Sequence, residues 1–484
     1  MEQQTGMEFD PYWLGRRYPT YRIPDAHTLY GDVENADAVD GSFDPTGEPW
    51  STDRTGLDRH PAPHGEKGRS TRRRQHQPRA RLHGRRDGTP TDERAHVTVP
   101  AWPRLADDLV NELVAQGKVA APEWQAAFRA VPRHEFVSRF YEQRDDRRWQ
   151  AVTADSDPEH WLTRIYTNRP LVTRLGTLHH GGVGPTSSSS SPALMARMLE
   201  ALDIHDGHRV CEIGTGTGWN YALLAHRLGA ENVFSVDLED ELVEQAAAGL
   251  RRVGHEPNLA RADGVAGWPG GGPFDRFIAT CAVSRIPTAW LEQTRDGGII
   301  LADLKIGTST GNLVRLRRTA HGAEGTFLDG YSAFMLMRGE AHPPVTGYPE
   351  RDRGRARRRH TAVREERPWE SPVWWFLACL SMPSGVRFGY TLHPETGRPD
   401  AVSLSCPDGS WCEVALDVSR DGRQVWEGGP AALWSAVERS HEIWTARGRP
   451  TWSRLGLTVT GRTHVVWIDD PAGPAWTLHD PHPT

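Results

Sequence analysis

The sequence predicts an α/β fold, with a parallel sheet carrying helices on its faces and antiparallel strands at its end. A smaller α+β C-terminal domain follows it, and a disordered N-terminal extension precedes it. Three observations carry this. Strand and helix patterns alternate from Arg209 onward, a glycine-rich turn follows the first of those strands, and an Arg-dense stretch precedes the folded part.

Composition narrows the classes. The chain has 484 residues, 57 Lys+Arg against 63 Asp+Glu, and a net charge of −6, which gives no reason to expect nucleic acid or an anionic membrane as partner. Hydrophobic residues make up 37% beside 48 Gly and 36 Pro, a balance of folded and disordered parts. Cys211, Cys281, Cys379, Cys406 and Cys412 are scattered and show no CxxC spacing. Neither a disulfide framework nor a metal site is expected. The N-terminus has no apolar signal region, and no apolar run reaches the roughly 18 residues of a membrane span. A cytoplasmic protein with reduced thiols is the expectation.

Residues 1–98 form the extension. Residues 1–50 carry aromatics without a period, and residues 51–98 carry none. GEKGRSTRRRQHQPRARLHGRRDG cannot bury enough surface to offset the entropy of ordering. A nucleic-acid-binding arm is the alternative, disfavoured because no aromatic is interleaved for base stacking.

Residues 99–340 form the main domain. Leu105, Leu109 and Leu113 recur at helical spacing before Gly117, a second helix starts at Pro122, and VPRHEFV (Val131 to Val137) closes it. RVCEIG, NVFSVDL, LARADG, FDRFIATCAV and GGIILADL read as strands, with WNYALLAHRLG, DELVEQAAAGLRRVG and PTAWLEQTR as the helices between them. NLVRLRRT and GTFLDGYSAFMLM read as a terminal antiparallel pair. Residues 341–369 read as an Arg-rich linker. Residues 370–484 give the strands VRFGYTLH, AVSLSC and SWCEVAL, the helix PAALWSAVERSHEIWTARG, and a hairpin from LGLTVTGRTHVVWIDD. Trp374, Trp375, Trp411, Trp426, Trp452, Trp467 and Trp476 read as core, with an aromatic peptide-binding groove as the alternative.

The chemical signal is VCEIGTGTGWN. Its glycines let backbone approach a ligand at a helix N-terminus. The spacing is GxGxG rather than the dinucleotide GxGxxG, and Glu212 lies two residues before Gly214. That favours a nucleoside without a pyrophosphate. Asp237 ends the next strand, where a carboxylate can accept both ribose hydroxyls, and Asp263-Gly264 ends the third, where an acid can accept from an adenine amine. For any one acid a surface cap is the plain alternative; in register, all three converge on one crevice.

These residues resemble S-adenosyl-L-methionine-dependent methyltransferases of Rossmann-like class I fold. VPRHEFV, the Ser190-Ser191-Pro192 opening of a helix, and EIGTGTGWN look more specifically like the protein-L-isoaspartate O-methyltransferase family, over roughly residues 104–305. The resemblance implies that Ser190 hydrogen-bonds the acceptor carboxylate, with Ser189 and Ser191 as substitutes because the serine tract leaves the register open by one. It implies a cofactor site of Glu212, Gly214, Thr215, Gly216, Asp237, Leu238, Asp263 and Gly264. The plain alternative for the tract is that Ser191 caps the helix, with Pro192 in its first turn, and Ser190 fills a loop.

The serine tract, ATCAVSRIP and the C-terminal GPAALWSAVE…VVWIDDP succession look similar to an actinobacterial subgroup. Its members accompany ribosomally made lanthipeptides, lasso peptides and graspetides. The resemblance implies methylation of an Asp carboxylate in a constrained precursor, leading to aspartimide and isoaspartate, with the C-terminal domain recognising the peptide. Within residues 9–50, YWLGRRYPTYRIP…SFDPTGEPW resembles a graspetide-type precursor; a functionless extension is the alternative. Repair of isoaspartyl proteins is the competing activity, and a non-catalytic peptide-binding partner or a small-molecule methyltransferase stands behind both. Cys281 reads as a small core residue, and His179 and His180 as loop or peptide contacts rather than metal ligands. Oligomeric state is not legible.

Overall fold

A computed structural model describes residues 101–144, 148–177, 182–307, 310–338, 351–361, 363, 367–393 and 396–478. The expected extension over 1–98, its precursor-like segment 9–50, and His179 and His180 lie outside the described residues. The described residues belong to one compact unit.

The chain opens with helices α1 (Trp102–Ala115) and α2 (Pro122–Ala130), each with proline in its first turn, where no hydrogen-bond donor is missed. A 3₁₀ turn over Arg133–Glu135, not a helix end, carries the VPRHEFV segment. Next come β1 (Arg139–Gln143), β2 (Trp149–Thr153), α3 (Pro158–Ile165), β3 (Leu171–Thr177) and β4 (Val183–Ser189), forming an antiparallel sheet in the order β2-β1-β3-β4. Sequence patterning gave no sign of this sheet. Its strands are half-exposed and polar, and β4 ends on Ser187, Ser188 and Ser189, which carry no apolar alternation.

Helix α4 (Pro192–Ala201) leads into the expected alternation: β5 (Val210–Ile213), α5 (Trp219–Leu228), β6 (Val233–Asp237), α6 (Asp240–Arg252), β7 (Asn258–Arg261), β8 (Phe274–Val283), α7 (Thr288–Gln293) and β9 (Thr294–Ile306). The antiparallel β10 (Thr310–Thr319) and β11 (Gly322–Phe327) follow. The second strand of that pair is shorter than expected. Residues 335–337 turn back instead to bridge the carboxyl end of β8, with the Ala282 N–H donating to Met335 and the Met337 N–H to Ala282.

Both faces of the sheet are buried, and alternate residues serve opposite cores. On β9, Ile299 and Leu301 join the core under α1, α2, α4 and α5, while Ile300, Ala302 and Leu304 join the other.

The C-terminal region differs from a domain on a linker. It comprises β12 (Arg357–Thr361), α8 (Pro372–Leu380), β13 (Arg387–Leu392), β14 (Pro399–Ser405), β15 (Trp411–Ala415), β16 (Arg423–Gly428), α9 (Leu433–Ala446), β17 (Leu455–Thr460), β18 (Thr463–Ile468) and β19 (Ala475–Thr477). Strand β12 lies inside the expected linker and pairs with β16. Its arginines and their neighbours answer acids buried in the sheet: Arg351 and Arg353 meet Glu413, and Arg357 and Arg359 meet Glu427. A buried carboxylate needs such partners, so the Arg-rich run expected to be a linker is structural.

Two features tie this region to the main domain. Strands β17–β19 extend the main sheet through β11, giving the order β19-β18-β17-β11-β10-β9-β8-β5-β6-β7. Helix α8 is apolar all round because it is buried on two sides. Val373, Phe376 and Leu377 face the main-sheet core, while Trp374, Trp375 and Ala378 face the core of the five-stranded sheet β12-β16-β15-β14-β13. Trp374, Trp375, Trp411, Trp452 and Trp467 are buried, which removes the aromatic groove they could have formed; Trp426 and Trp476 are half-buried.

A Cβ on Gly456 would lie 2.1 Å from the Trp467 ring. Gly456→Ala is therefore expected to cost about 1–3 kcal/mol through overpacking and to lower the thermal midpoint of the whole unit. A separate, lower melting step for the C-terminal region alone would contradict the shared sheet. Among the described residues no helix is long and apolar enough to cross a membrane.

Candidate active site

The strand order reverses at β5. Strands β6 and β7 lie on one side of it, β8 and β9 on the other, all parallel. The crevice beyond the carboxyl ends of β5 and β8 is where such sheets hold ligands.

The loop after β5 lines that crevice. Gly214, Gly216 and Gly218 have φ of +94°, +52° and +85°. A Cβ on Gly214 would lie 2.8 Å from the Thr280 hydroxyl, and one on Gly218 would lie 2.9 Å from Ala246. Glycine is required by conformation and by space. Four of the loop's amides are already engaged. Gly214 and Thr215 N–H groups donate to the Val236 carbonyl, Gly216 N–H to Asp237 at 2.9 Å, and Gly218 N–H to the Thr215 carbonyl. The loop therefore offers room rather than a row of free donors. That does not suit a pyrophosphate, whose recognition needs free amides. It does suit a nucleoside whose hydroxyls seek acceptors.

The acids divide by role. Glu212 is fully buried, accepting from Asn220 Nδ2 and the Ser235 hydroxyl at 2.7 Å each. It braces the loop from beneath rather than facing the crevice. Burial outweighs those bonds and pushes its pKa up to about 7. The Thr215 hydroxyl also points inward, 2.7 Å from that of Ser235. Asp237 is at the crevice, half-buried, accepting from the Gly216 and Leu238 N–H groups. Burial raises its pKa, opposed by those bonds and by Arg338 and Arg174. Both arginines pair with Glu239, next to Leu238. Asp263 accepts from Val265 N–H at 3.0 Å and opens a 3₁₀ turn. Gly264 is pinned because a Cβ there would lie 2.6 Å from Ile213 and 2.8 Å from the Met337 sulfur.

The serines of the tract are not equivalent. Ser189 is buried, and its hydroxyl contacts the Arg133 guanidinium at 3.2 Å. Ser191 holds the cap position of α4, but its side chain makes no cap bond; Asn168 Oδ1 accepts from the Ala193 N–H instead. Ser190 is half-buried, and its hydroxyl has no partner among the described residues. The tract lies across the glycine loop: a Cβ on Gly216 would be 3.9 Å from the Ser188 carbonyl oxygen.

Cys281 lies against the loop, its Sγ 4.0 Å from the Ile213 carbonyl, and burial pushes its thiol up to about 12, an unreactive state. Sequence reading missed Thr280, whose hydroxyl donates to the Gly214 carbonyl at 2.6 Å, and the Asn220–Ser235 brace. Nothing in their local pattern sets them apart, since only the meeting of β5, β6 and β8 brings them to the loop.

Similarity to known proteins points to one family. Residues 104–327 match the family model described as protein-L-isoaspartate(D-aspartate) O-methyltransferase. A protein-L-isoaspartate O-methyltransferase of Gloeobacter violaceus is 31% identical over 215 residues, 44% of this chain and 89% of that protein. One from Ignicoccus hospitalis is 28% identical over 217 residues, again 44% and 89%. A solved structure of the same description, 20% identical, covers 73% of this chain and 96% of its own, with a TM-score of 0.43, and adds nothing to what the sequence relatives establish.

Proposed function

This chain belongs to the protein-L-isoaspartate O-methyltransferase family, and from that premise we propose that it methylates the free carboxylate of L-isoaspartyl residues in proteins and peptides. As a member it is an S-adenosyl-L-methionine-dependent carboxyl O-methyltransferase. The glycine loop at the crevice, with acids at or just past the ends of β6 and β7, fits that cofactor. Gly214 and Gly216 would give it room, Asp237 would accept its ribose hydroxyls, Leu238 would lie against its adenine, and Asp263 would accept from the adenine amine.

The observation carrying the acceptor assignment is the Ser190 hydroxyl, without a partner among the described residues, on a segment lying across the glycine loop. The bound cofactor supplies a sulfonium methyl already activated for transfer. A carboxylate needs no general base, so the protein's task is alignment and exclusion of water. Ser190 would hold the carboxylate by donating one hydrogen bond.

A second reading is the Asp side chain of a constrained, ribosomally made peptide. What favours it is the well-packed region beyond residue 327, which the family model does not reach and which could recognise such a peptide. In that case the methyl ester would lose methanol as the following backbone nitrogen closes an imide. The scattered cysteines favour the reducing cytoplasm as its place of action.

Mass spectrometry with S-adenosylmethionine separates the readings. A linear isoaspartyl peptide should gain one methyl while its aspartyl twin stays unchanged. Reaction only on a macrocyclic precursor peptide, with methyl gain and then methanol loss, would transfer the assignment to the second reading. Ser190→Ala should lower the acceptor kcat/KM about tenfold, the loss of one hydrogen bond to a charged group.

A further inference from the structure

Arg133 has no role in the chemistry above, yet it is the most fully committed side chain near the crevice. It is completely buried. Nη1 donates to the carbonyls of Ile165 and Thr167 at 2.9 and 3.3 Å. Nη2 donates to those of Arg169, Ser189 and Ser190 at 3.2, 3.3 and 2.9 Å, and both Nη2 and Nε reach the Ser189 hydroxyl. Its guanidinium lies 4.7 Å from the Trp219 ring centroid, on the first turn of the helix that follows the glycine loop.

No carboxylate pairs with it among the described residues, so the charge is compensated by carbonyl dipoles and one ring. Burial pushes its pKa down to about 9. A buried charge is a costly way to gain stability, and apolar packing of the same volume usually serves as well. What a rigid fork of donors does uniquely is fix several acceptors in one geometry. The acceptors fixed here are the ends of two segments, residues 165–169 and Ser189–Ser190. Holding Ser189 by its hydroxyl and its carbonyl, and Ser190 by its carbonyl, fixes the Ser190 backbone and with it the direction of the Cα–Cβ bond that carries the hydroxyl.

We infer that Arg133 is a positioning residue: it sets the serine tract against the helix that follows the glycine loop, and so aims the Ser190 hydroxyl at the acceptor carboxylate. This rests on the acceptor assignment proposed above. Lysine cannot replace it, because one ammonium cannot span carbonyls on both segments.

The test compares Arg133→Met and Arg133→Lys with the wild-type full chain. Three readouts are taken: steady-state kinetics on a linear isoaspartyl peptide, calorimetric affinity for S-adenosylmethionine, and hydrogen exchange. Arg133→Met should lower the acceptor kcat/KM about 100-fold, the effect of an ångström-scale misplacement, with cofactor affinity within about twofold. Amide exchange should quicken at 165–169 and 187–191 and stay unchanged at 214–218. Arg133→Lys, which keeps the charge and guards against a folding failure, should recover about tenfold of the loss at most. Unchanged kcat/KM, or exchange that quickens across the chain with cofactor affinity falling in step, would overturn the inference. If the wild type does not turn over the isoaspartyl peptide, the acceptor assignment fails, and exchange decides alone. Acceleration confined to the two segments supports the positioning role, and unchanged or chain-wide exchange refutes it.

Discussion

Asp237→Ala is expected to weaken S-adenosylmethionine binding about 100-fold, with the fold intact. The carboxylate ends β6 at the crevice and already accepts from the Gly216 and Leu238 N–H groups. Those bonds fix its plane and hold the glycine loop. A nucleoside ribose would add two hydroxyl donors, each worth about 1.5–3 kcal/mol against a charged acceptor. Losing roughly 3 kcal/mol corresponds to about two orders of magnitude in affinity. Asp237→Asn keeps the shape and one acceptor oxygen, so it should fall between, near tenfold. Titration calorimetry with the cofactor measures both. Burial raises the Asp237 pKa, so wild-type affinity should decline on acidification sooner than for an ordinary aspartate, and the alanine variant should lose that limb. An alanine variant within twofold of wild type would remove the ribose assignment.

The parts of this molecule legible in the sequence are those whose physics is local. RVCEIG, WNYALLAHRLG and NVFSVDL announce β5, α5 and β6 because short apolar runs, a longer apolar run stopped by Gly229, and a glycine turn between strand and helix are all local signals. The places of Asp237 at the end of β6 and Asp263 just past β7 were legible because the strand limits are local signals. Elsewhere the deciding partners are far apart in sequence. Arg357 and Arg359 read as part of a linker until Glu427 is placed beside them. The apolar segment PVWWFLACL gives no sign that it divides its faces between two cores. Ser189, Ser190 and Ser191 are chemically identical in the sequence. Arg133 engaging Ser189 and Asn168 doing the capping expected of Ser191 are what distinguish them. Glu212 was expected at the cofactor; what the sequence does not reveal is that it is fully buried and held by Asn220, in the first turn of the next helix, and by Ser235 on the neighbouring strand.

That buried glutamate makes the second large prediction, a pH-dependent instability that Glu212→Gln removes. Folding raises its pKa from an ordinary 4.5 to about 7, so between those values the native state holds a proton that the unfolded chain has released. Stability contributed by this group is complete below pH 4.5 and is lost as pH rises through 7. The loss is of order 3 kcal/mol, from the shift at about 1.4 kcal/mol per unit. Glutamine has the same shape, accepts from Asn220 with its oxygen, and donates to the Ser235 hydroxyl, which can turn toward Thr215. Other carboxylates also titrate, so the measurement is the difference between variant and wild type in denaturant midpoints at pH 5 and pH 8. Glu212→Gln should gain on wild type as pH rises. A difference independent of pH would mean that the carboxylate is ionised throughout and that Asn220 and Ser235 fully repay its burial. Glu212→Ala separates the brace from the charge. It leaves the Asn220 amide and Ser235 hydroxyl buried without their acceptor, so it should be destabilised at both pH values by about 1–3 kcal/mol for each stranded group. Cofactor affinity in the glutamine variant should stay near wild type, because the side chain supports the loop from beneath and leaves the crevice to Asp237.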